Sequence, residues 1–424
     1  MASSCGTLRV CLVAAAAIAI LFLHPPALYA QHAKPAPSAE SLPNGMEITP
    51  LAARGATFQP LNPDLPDLPS FTVDHPVSTA LSPDGNTLLI LTSGFNRNFD
   101  ARGKAIPAQS SEYVFVFDLR GKAPVKQQVL RIPNSFVGLA WSPDSRQFFV
   151  SGGQDDSVHV FAAADGIWAE SGRPIALEHK NGIGVPDNME GKAEPVRPVV
   201  AGLAVSPDGK MLLAANYQND SVSLVDLDSQ KIVGELDLRP GKISPAQKGV
   251  PGGEYPYGVV FCGNDKAYVS SLRDREIVAV SLKAGSLTVS GRIKTHGQPG
   301  KIIVNRAGTL LFATADNSDT VVIVQTAANR IIAEIKTTAP AGVFSARAGF
   351  KGSMPNDLAL SPDEKTLYVT NGGTNSVAVI ALDKDLDDSH LLGLIPTGWY
   401  PTGISVGRDN GTLYVVNGKS NPGP

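Results

Sequence analysis

Six residues of this 424-residue chain stand directly before a proline that opens an apolar run. They are His75, Arg197, Tyr255, Gln298, Met354 and Tyr400, ahead of Pro76, Pro198, Pro256, Pro299, Pro355 and Pro401. Trp399 and His296 lie beside them in sequence, and Asn96, Arg97, Tyr217, Arg273 and Arg275 fall in loops that follow other apolar runs. Aromatic faces, guanidinium forks and amides hold a polar or anionic ligand by stacking and paired hydrogen bonds. The same aromatics also suit plain packing of one sheet on the next, and both roles stand at this level. For catalysis the groups at hand are Glu254, beside Tyr255, and His296, near Gln298, as a general base or as the holder of an activated water. The chain has no Gly-x-Ser-x-Gly elbow, no phosphate-binding glycine loop with lysine, no Cys-x-x-Cys-His and no dinucleotide fingerprint, so enzymes that depend on those motifs are excluded. His75, His159, His179, His296 and His390 are scattered without metal-ligand spacing, and neither a metal nor a cofactor is expected.

The elements that must position these residues repeat along the chain. A short apolar strand runs into a tight turn, a second strand follows, then a third. The clearest copy is Leu358 to Ile380, where Ser361-Pro362-Asp363-Glu364 makes the first turn and Gly372-Gly373-Thr374-Asn375 the second. Turns of the first kind begin at Ser82, Ser142, Ser206, Cys262, Asn305, Ser361 and Gly407, with spacings of 60, 64, 56, 43, 56 and 46 residues. That period is one of a β-propeller blade, the longer intervals carrying insertions. Runs such as Val222 to Leu227 and Val321 to Val324 are apolar on both faces, as strands sandwiched between neighbouring sheets must be. Asp84, Asp144, Asp208, Asp363 and Asp409 recur at one turn position and are read as folding residues: proline presets the turn, and Ser and Asp bond the nearby backbone. Cys262 is read as a buried filler of its turn.

The expectation is therefore an all-β, seven-bladed β-propeller with four-stranded blades. Its seventh copy stops after the second strand, and the N-terminal stretch Met46 to Val73 is expected to complete that last blade and close the ring. First-to-second turns then lie on the bottom face. The insertions Phe95 to Ser111, Glu178 to Arg197, Arg239 to Gly253 and Thr338 to Ser353 project from the top, where the residues before the prolines ring the channel mouth.

The Leu-Tyr-Val-Thr-Asn of 367 to 371, followed by Ser-Val-Ala-Val-Ile-Ala-Leu, resembles the YVTN-repeat (YncE-like) seven-bladed β-propellers over residues 46 to 424. Thr79-Ala-Leu-Ser-Pro-Asp-Gly, the first-blade insertion and the closing Val416-Asn-Gly-Lys-Ser-Asn-Pro-Gly-Pro424 resemble, more narrowly, propellers fused in bacteria to alkaline-phosphatase-like phosphoesterases. The resemblance implies a binding or scaffold module partnered by a phosphoesterase domain or subunit. Lactonases of the same fold supply the alternative, a hydrolase with its site at the channel mouth. No phosphatase residue can be carried over, since the family's metal site belongs to the other half.

Residues 1–30 read as a signal peptide, with Arg9, an apolar run from Cys11 to Leu23, and a cleavage site after Ala30. Residues 31–45 read as a flexible linker and 46–424 as the propeller. Export to the periplasm or the medium is expected, with no membrane span after cleavage. Cys5 and Cys11 leave with the signal, so Cys262 remains alone and no internal disulfide can form. Lysine plus arginine number 36 against 39 acids, a balance that gives a nucleic-acid partner no electrostatic support. The expected partner is instead a protein, or a small polar or anionic ligand, on the top face.

Overall fold

The computed structural model describes residues 40–41, 47–48, 53, 55–94, 96–182, 195–283, 286–339, 352–384, 386 and 388–419. The proposed signal peptide and most of the linker lie outside these. The chain divides into Met1–Leu51 and Ala52–Pro424. In the first unit, Glu40–Ser41 pairs antiparallel with Glu47–Ile48.

The second unit is an all-β propeller. Blade one is Pro76–Leu81, Thr87–Thr92, Glu112–Asp118 and Val125–Ile132. Blade two is Leu139–Trp141, Gln147–Ser151, Ser157–Ala164 and Ile167–Glu170, with Ile175–Ala176 added on its third strand. Blade three is Val200–Val205, Met211–Asn216, Ser221–Asp226 and Lys231–Asp237, and blade four is Pro256–Phe261, Lys266–Ser271, Glu276–Lys283 and Ser286–Lys294. Blade five is Pro299–Val304, Leu310–Ala315, Thr320–Gln325 and Arg330–Lys336, and blade six is Pro355–Leu360, Thr366–Asn371, Ser376–Ala381 and His390–Pro396. Neighbours within each blade run antiparallel.

Among the described residues the complete blades number six, not the seven expected. After blade six comes a sheet of two strands, Pro401–Val406 and Leu413–Asn417. The N-terminal stretch does not complete it: among the described residues from 55 to 75 no strand forms, and Val73 donates its N–H to Leu61 instead. Leu61, Phe71 and Val73 contribute side chains alone, packed with Tyr414, Val416 and the third strand of blade one. The stretch is rich in proline, which withholds the N–H that a strand ladder needs.

The second and third strands of the six blades carry the core. Leu89, Val114, Phe148, Leu213, Val278, Phe312 and Val369 are buried between sheets, and the apolar clusters run from one blade into the next. Outer strands alternate, as in Lys231–Asp237, because one face meets water. The bottom turns match expectation: Ser82, Ser142, Ser206 and Ser361 donate to the carboxylates of Asp84, Asp144, Asp208 and Asp363 at 2.5–2.6 Å. Those bonds, with backbone N–H groups, hold these carboxylates below their usual range, although burial works the other way and is the largest influence on Asp84. Cys262 is only half-buried, and its thiol bonds the Gly308 carbonyl at 3.1 Å.

Candidate functional site

Innermost strands open in one repeated way. In every sheet but that of blade two, the first residue after the second strand donates its N–H to the residue just before the innermost strand. Ser93 does so to His75, Leu272 to Tyr255, Asp316 to Gln298, Gly372 to Met354 and Gly418 to Tyr400. In blade three the bond runs from Tyr217 to Val199, so Val199 holds the place assigned to Arg197, which is exposed two residues earlier. His75, Tyr255, Met354 and Tyr400 all have φ between 54° and 58°. The left-handed region disfavours such side chains, so neighbours must fix it.

The neighbour is the preceding blade. Asp220, Asp319 and Asn375 end the turns that lead into third strands, and each accepts from a backbone N–H of the next blade. Asp220 takes Tyr255 at 3.0 Å, Asp319 takes Met354 at 3.2 Å and Asn375 takes Tyr400 at 2.9 Å. Asp319 further accepts from Gly352 N–H and Ser353 Oγ. These contacts set the rim blade against blade.

The aromatics fall in two groups where the innermost strands open. Tyr217 stacks on Tyr255 with centroids 4.8 Å apart. Phe136 meets Tyr217 edge-on at 5.8 Å and Tyr257 at 5.9 Å. Arg273 lies over the Tyr255 ring at 5.7 Å and pairs with Glu254 at 3.0 Å. The Lys419 ammonium covers Trp399 at 4.9 Å and Tyr400 at 5.3 Å. Burial, and then the nearby charge of Asp357, Tyr217 and Tyr400, pushes the Tyr257 phenol above its usual range. Burial and Asp316 do the same for Tyr400. Asp316 itself is raised by burial and by Asp319.

Asp357, on the innermost strand of blade six, is buried and raised by that burial, against which work the Lys301 charge and the N–H groups of Leu358 and Ile404 at 2.8 and 3.0 Å. The candidate site is thus a pair of aromatic groups, each with one exposed cation, beside desolvated acids and phenols. It can stack a flat or ring-bearing ligand and meet a negative group with Arg273 and Lys419.

The other sequence-predicted residues scatter. Asn96 is buried and its amide is spent: Oδ1 accepts from Asp74 N–H at 2.9 Å, and Nδ2 donates to Glu112 at 3.0 Å. His75 sits at the rim with Nδ1 2.7 Å from the Ser93 carbonyl. Arg97 is exposed, and Gln298 is half-buried at the start of blade five. His296 points outward to Glu334 on the outermost strand of blade five, at 2.9 Å, away from Glu254. The structure therefore joins Tyr217, Tyr255 and Arg273 in one group and Trp399 and Tyr400 in another, and leaves Asn96, Arg97, Arg197 and His296 outside both. Phe136, Tyr257 and Lys419 were missed. Phe136 occupies the place that proline takes in other blades, so aligning the innermost strands would have found it. No group of three His, Cys, Asp or Glu among the described residues could hold a metal ion.

One family model, described as WD domain, G-beta repeat, matches residues 126–161. The match runs from the outermost strand of blade one through the third strand of blade two. No curated protein matches the chain. Among solved structures, a periplasmic gluconolactonase of Pseudomonas aeruginosa is similar with a TM-score of 0.58 and 16% identity, over 82% of this chain and 89% of that one. A putative 6-phosphogluconolactonase of Bacteroides fragilis is similar with a TM-score of 0.55 and 16% identity, over 81% and 87%. The RRP9 WD40 repeats are similar with a TM-score of 0.60 and 11% identity, over 87% and 93%. At these identities the likeness speaks for architecture, and the chain has a WD40-like β-propeller fold with six complete blades.

Proposed function

We propose that the chain is an exported binding module whose channel mouth takes a partner protein or a small polar, anionic ligand. The observation that carries this reading is the pair of aromatic groups, Phe136, Tyr217, Tyr255 and Tyr257 with Arg273, and Trp399 and Tyr400 with Lys419. Rim residues held in a disfavoured backbone region by contacts from the preceding blade fit a preorganised site. Lys419 has no carboxylate partner among the described residues, so its charge stays available. The resemblance to YVTN-repeat propellers makes a phosphoesterase the first partner to try.

The test is calorimetric titration with a panel of sugar carboxylates and sugar phosphates, their neutral parents serving as controls. Anionic members bind, and Tyr255→Ala and Lys419→Ala each weaken binding about tenfold, the worth of one stacking or cation–π contact. Equal affinity for neutral and anionic members, or variants that bind as well as the parent, would refute the site.

A lactonase is the second reading, favoured by the two lactonase structures of similar fold. It places a base among Glu254, Asp316 and Asp357, and lactone turnover should then vanish in Asp316→Asn or Asp357→Asn. Turnover that none of these replacements lowers, or none in the parent chain, removes it.

A further inference from the structure

The two-stranded sheet leaves an edge that the six blades do not have. In each blade the second strand is bonded on both sides, to the first strand and to the third. Leu413–Asn417 bonds only to Pro401–Val406, and its other edge makes no backbone bond to any described residue. Burial follows the same line. Thr87–Thr92, Met211–Asn216 and Leu310–Ala315 are buried over five consecutive residues, whereas only Val416 is buried in Leu413–Asn417. A half-covered apolar edge with free N–H and C=O groups is a template for another strand.

Six sibling sheets state what fits that edge. Their third strands include Ser221–Asp226, Thr320–Gln325 and Ser376–Ala381, each six residues with valine at the second position and further apolar residues after it. In blades one and three this strand ends at Asp118 and Asp226, and in blade six Asp383 follows two residues past its end.

At the corresponding end of the open edge lies a cavity of about 260 Å³, lined by Leu119, Lys122, Pro124, Arg408, Thr412 and Tyr414. Lys122 and Arg408 are exposed there, while the Asp409 carboxylate is taken up by Thr412 Oγ1 and the Gly411 N–H within its own turn. The groove is therefore apolar along its length and cationic at its foot.

We propose that this edge accepts a strand from a partner polypeptide, an extended apolar, valine-containing segment of about six to eight residues that ends in an acid. The segment adds antiparallel to Leu413–Asn417 as a third strand, and its terminal carboxylate meets Arg408 and Lys122. The site lies apart from the channel mouth and does not depend on the ligand proposed there.

A synthetic peptide with the sequence of residues 376–383, carrying two N-terminal lysines for solubility, is titrated into the full chain. Amide hydrogen exchange is then followed by mass spectrometry. Exchange across residues 413–417 slows at least tenfold with the peptide bound. A proline at its fourth position abolishes the effect, and either Asp→Lys at its end or Arg408→Gln in the protein weakens binding at least fivefold. Slow exchange at 413–417 in the free monomer would overturn the proposal, because the chain would then cover its own edge. Protection that appears only as the protein self-associates overturns it too, as does peptide binding that leaves those amides unchanged.

Discussion

A single carboxylate can decide where an aromatic side chain points. Tyr255 has φ 55°, and the bond from its N–H to Asp220 is what answers that conformation. Asp220 also faces Arg239 at 3.3 Å, yet burial still raises its pKa. Asp220→Ala leaves the Tyr255 N–H without its acceptor and Arg239 with Asp237 alone. The expected loss is about 1–2 kcal/mol, read as a lower urea midpoint, together with weaker ligand binding as Tyr255 leaves the stack. His179 makes a second residue-scale case. Burial alone would lower its pKa, but hydrogen bonds to Asp156 at 2.7 Å and to Glu235 at 3.1 Å, with their charges, raise it to about 9. A histidine whose folded pKa lies above its unfolded value stabilises fully below about pH 6.5, and that contribution fades as pH climbs through 9. His179→Gln should therefore cost most at pH 6, up to about 3 kcal/mol, and little at pH 9.5. Urea midpoints of parent and variant measured across that range check the convergence.

Strands rather than single residues decide how tightly the ring can draw in. Four residues before the first turn of each sheet stands Ser78, Gly138, Gly202, Gly258, Lys301, Asp357 or Gly403. A Cβ on Gly138 would stand 2.3 Å from the Ala201 carbonyl oxygen, and one on Gly202 would stand 2.2 Å from that of Tyr257. Ser78 fits the place by turning its hydroxyl into a bond to the Val137 carbonyl at 2.7 Å. Gly202→Ala should thus push blades three and four apart and cost about 2–3 kcal/mol, whereas Ser78→Ala forfeits one hydrogen bond, about 1 kcal/mol. Urea denaturation of the two variants side by side checks that order. Such elements were readable because apolar runs and Ser-Pro-Asp turns recur. Their partners were not. Blade three has two more residues between its proline and its turn than its siblings, so the rim place falls to Val199 and not to Arg197. His296 finds Glu334 thirty-eight residues away. The stretch before Val73 contributes side chains without a strand, and local pattern does not distinguish those two uses of an extended chain.

For the molecule as a whole, the question is what keeps a ring shut when its last sheet is only half the usual width. The answer lies in bonds between that sheet and its two neighbours. Asn356 Nδ2 donates to the Pro401 carbonyl at 2.8 Å, and Asp357 accepts from Ile404 N–H at 3.0 Å, on the blade-six side. On the blade-one side Thr402 Oγ1 donates to the Pro76 carbonyl at 2.6 Å, and the hydroxyls of Thr79 and Ser405 meet at 2.8 Å, buried and 326 residues apart in sequence. Strand ladders do not cross either seam, so these few contacts, with side-chain packing, hold the closure. If the seam at Thr79 and Ser405 is where the ring first opens, a covalent bond across it must raise stability more than any local repair. Chain entropy puts an upper bound near 6 kcal/mol on a cross-link closing so long a loop, and at least about 2 kcal/mol should survive the geometry of the bridge. The test is Thr79→Cys with Ser405→Cys in a Cys262→Ser background, compared oxidised and reduced in guanidinium. A midpoint that rises on oxidation and falls back on reduction places the opening at this seam. Equal midpoints with the bridge shown to be formed would mean that the ring unfolds from another blade.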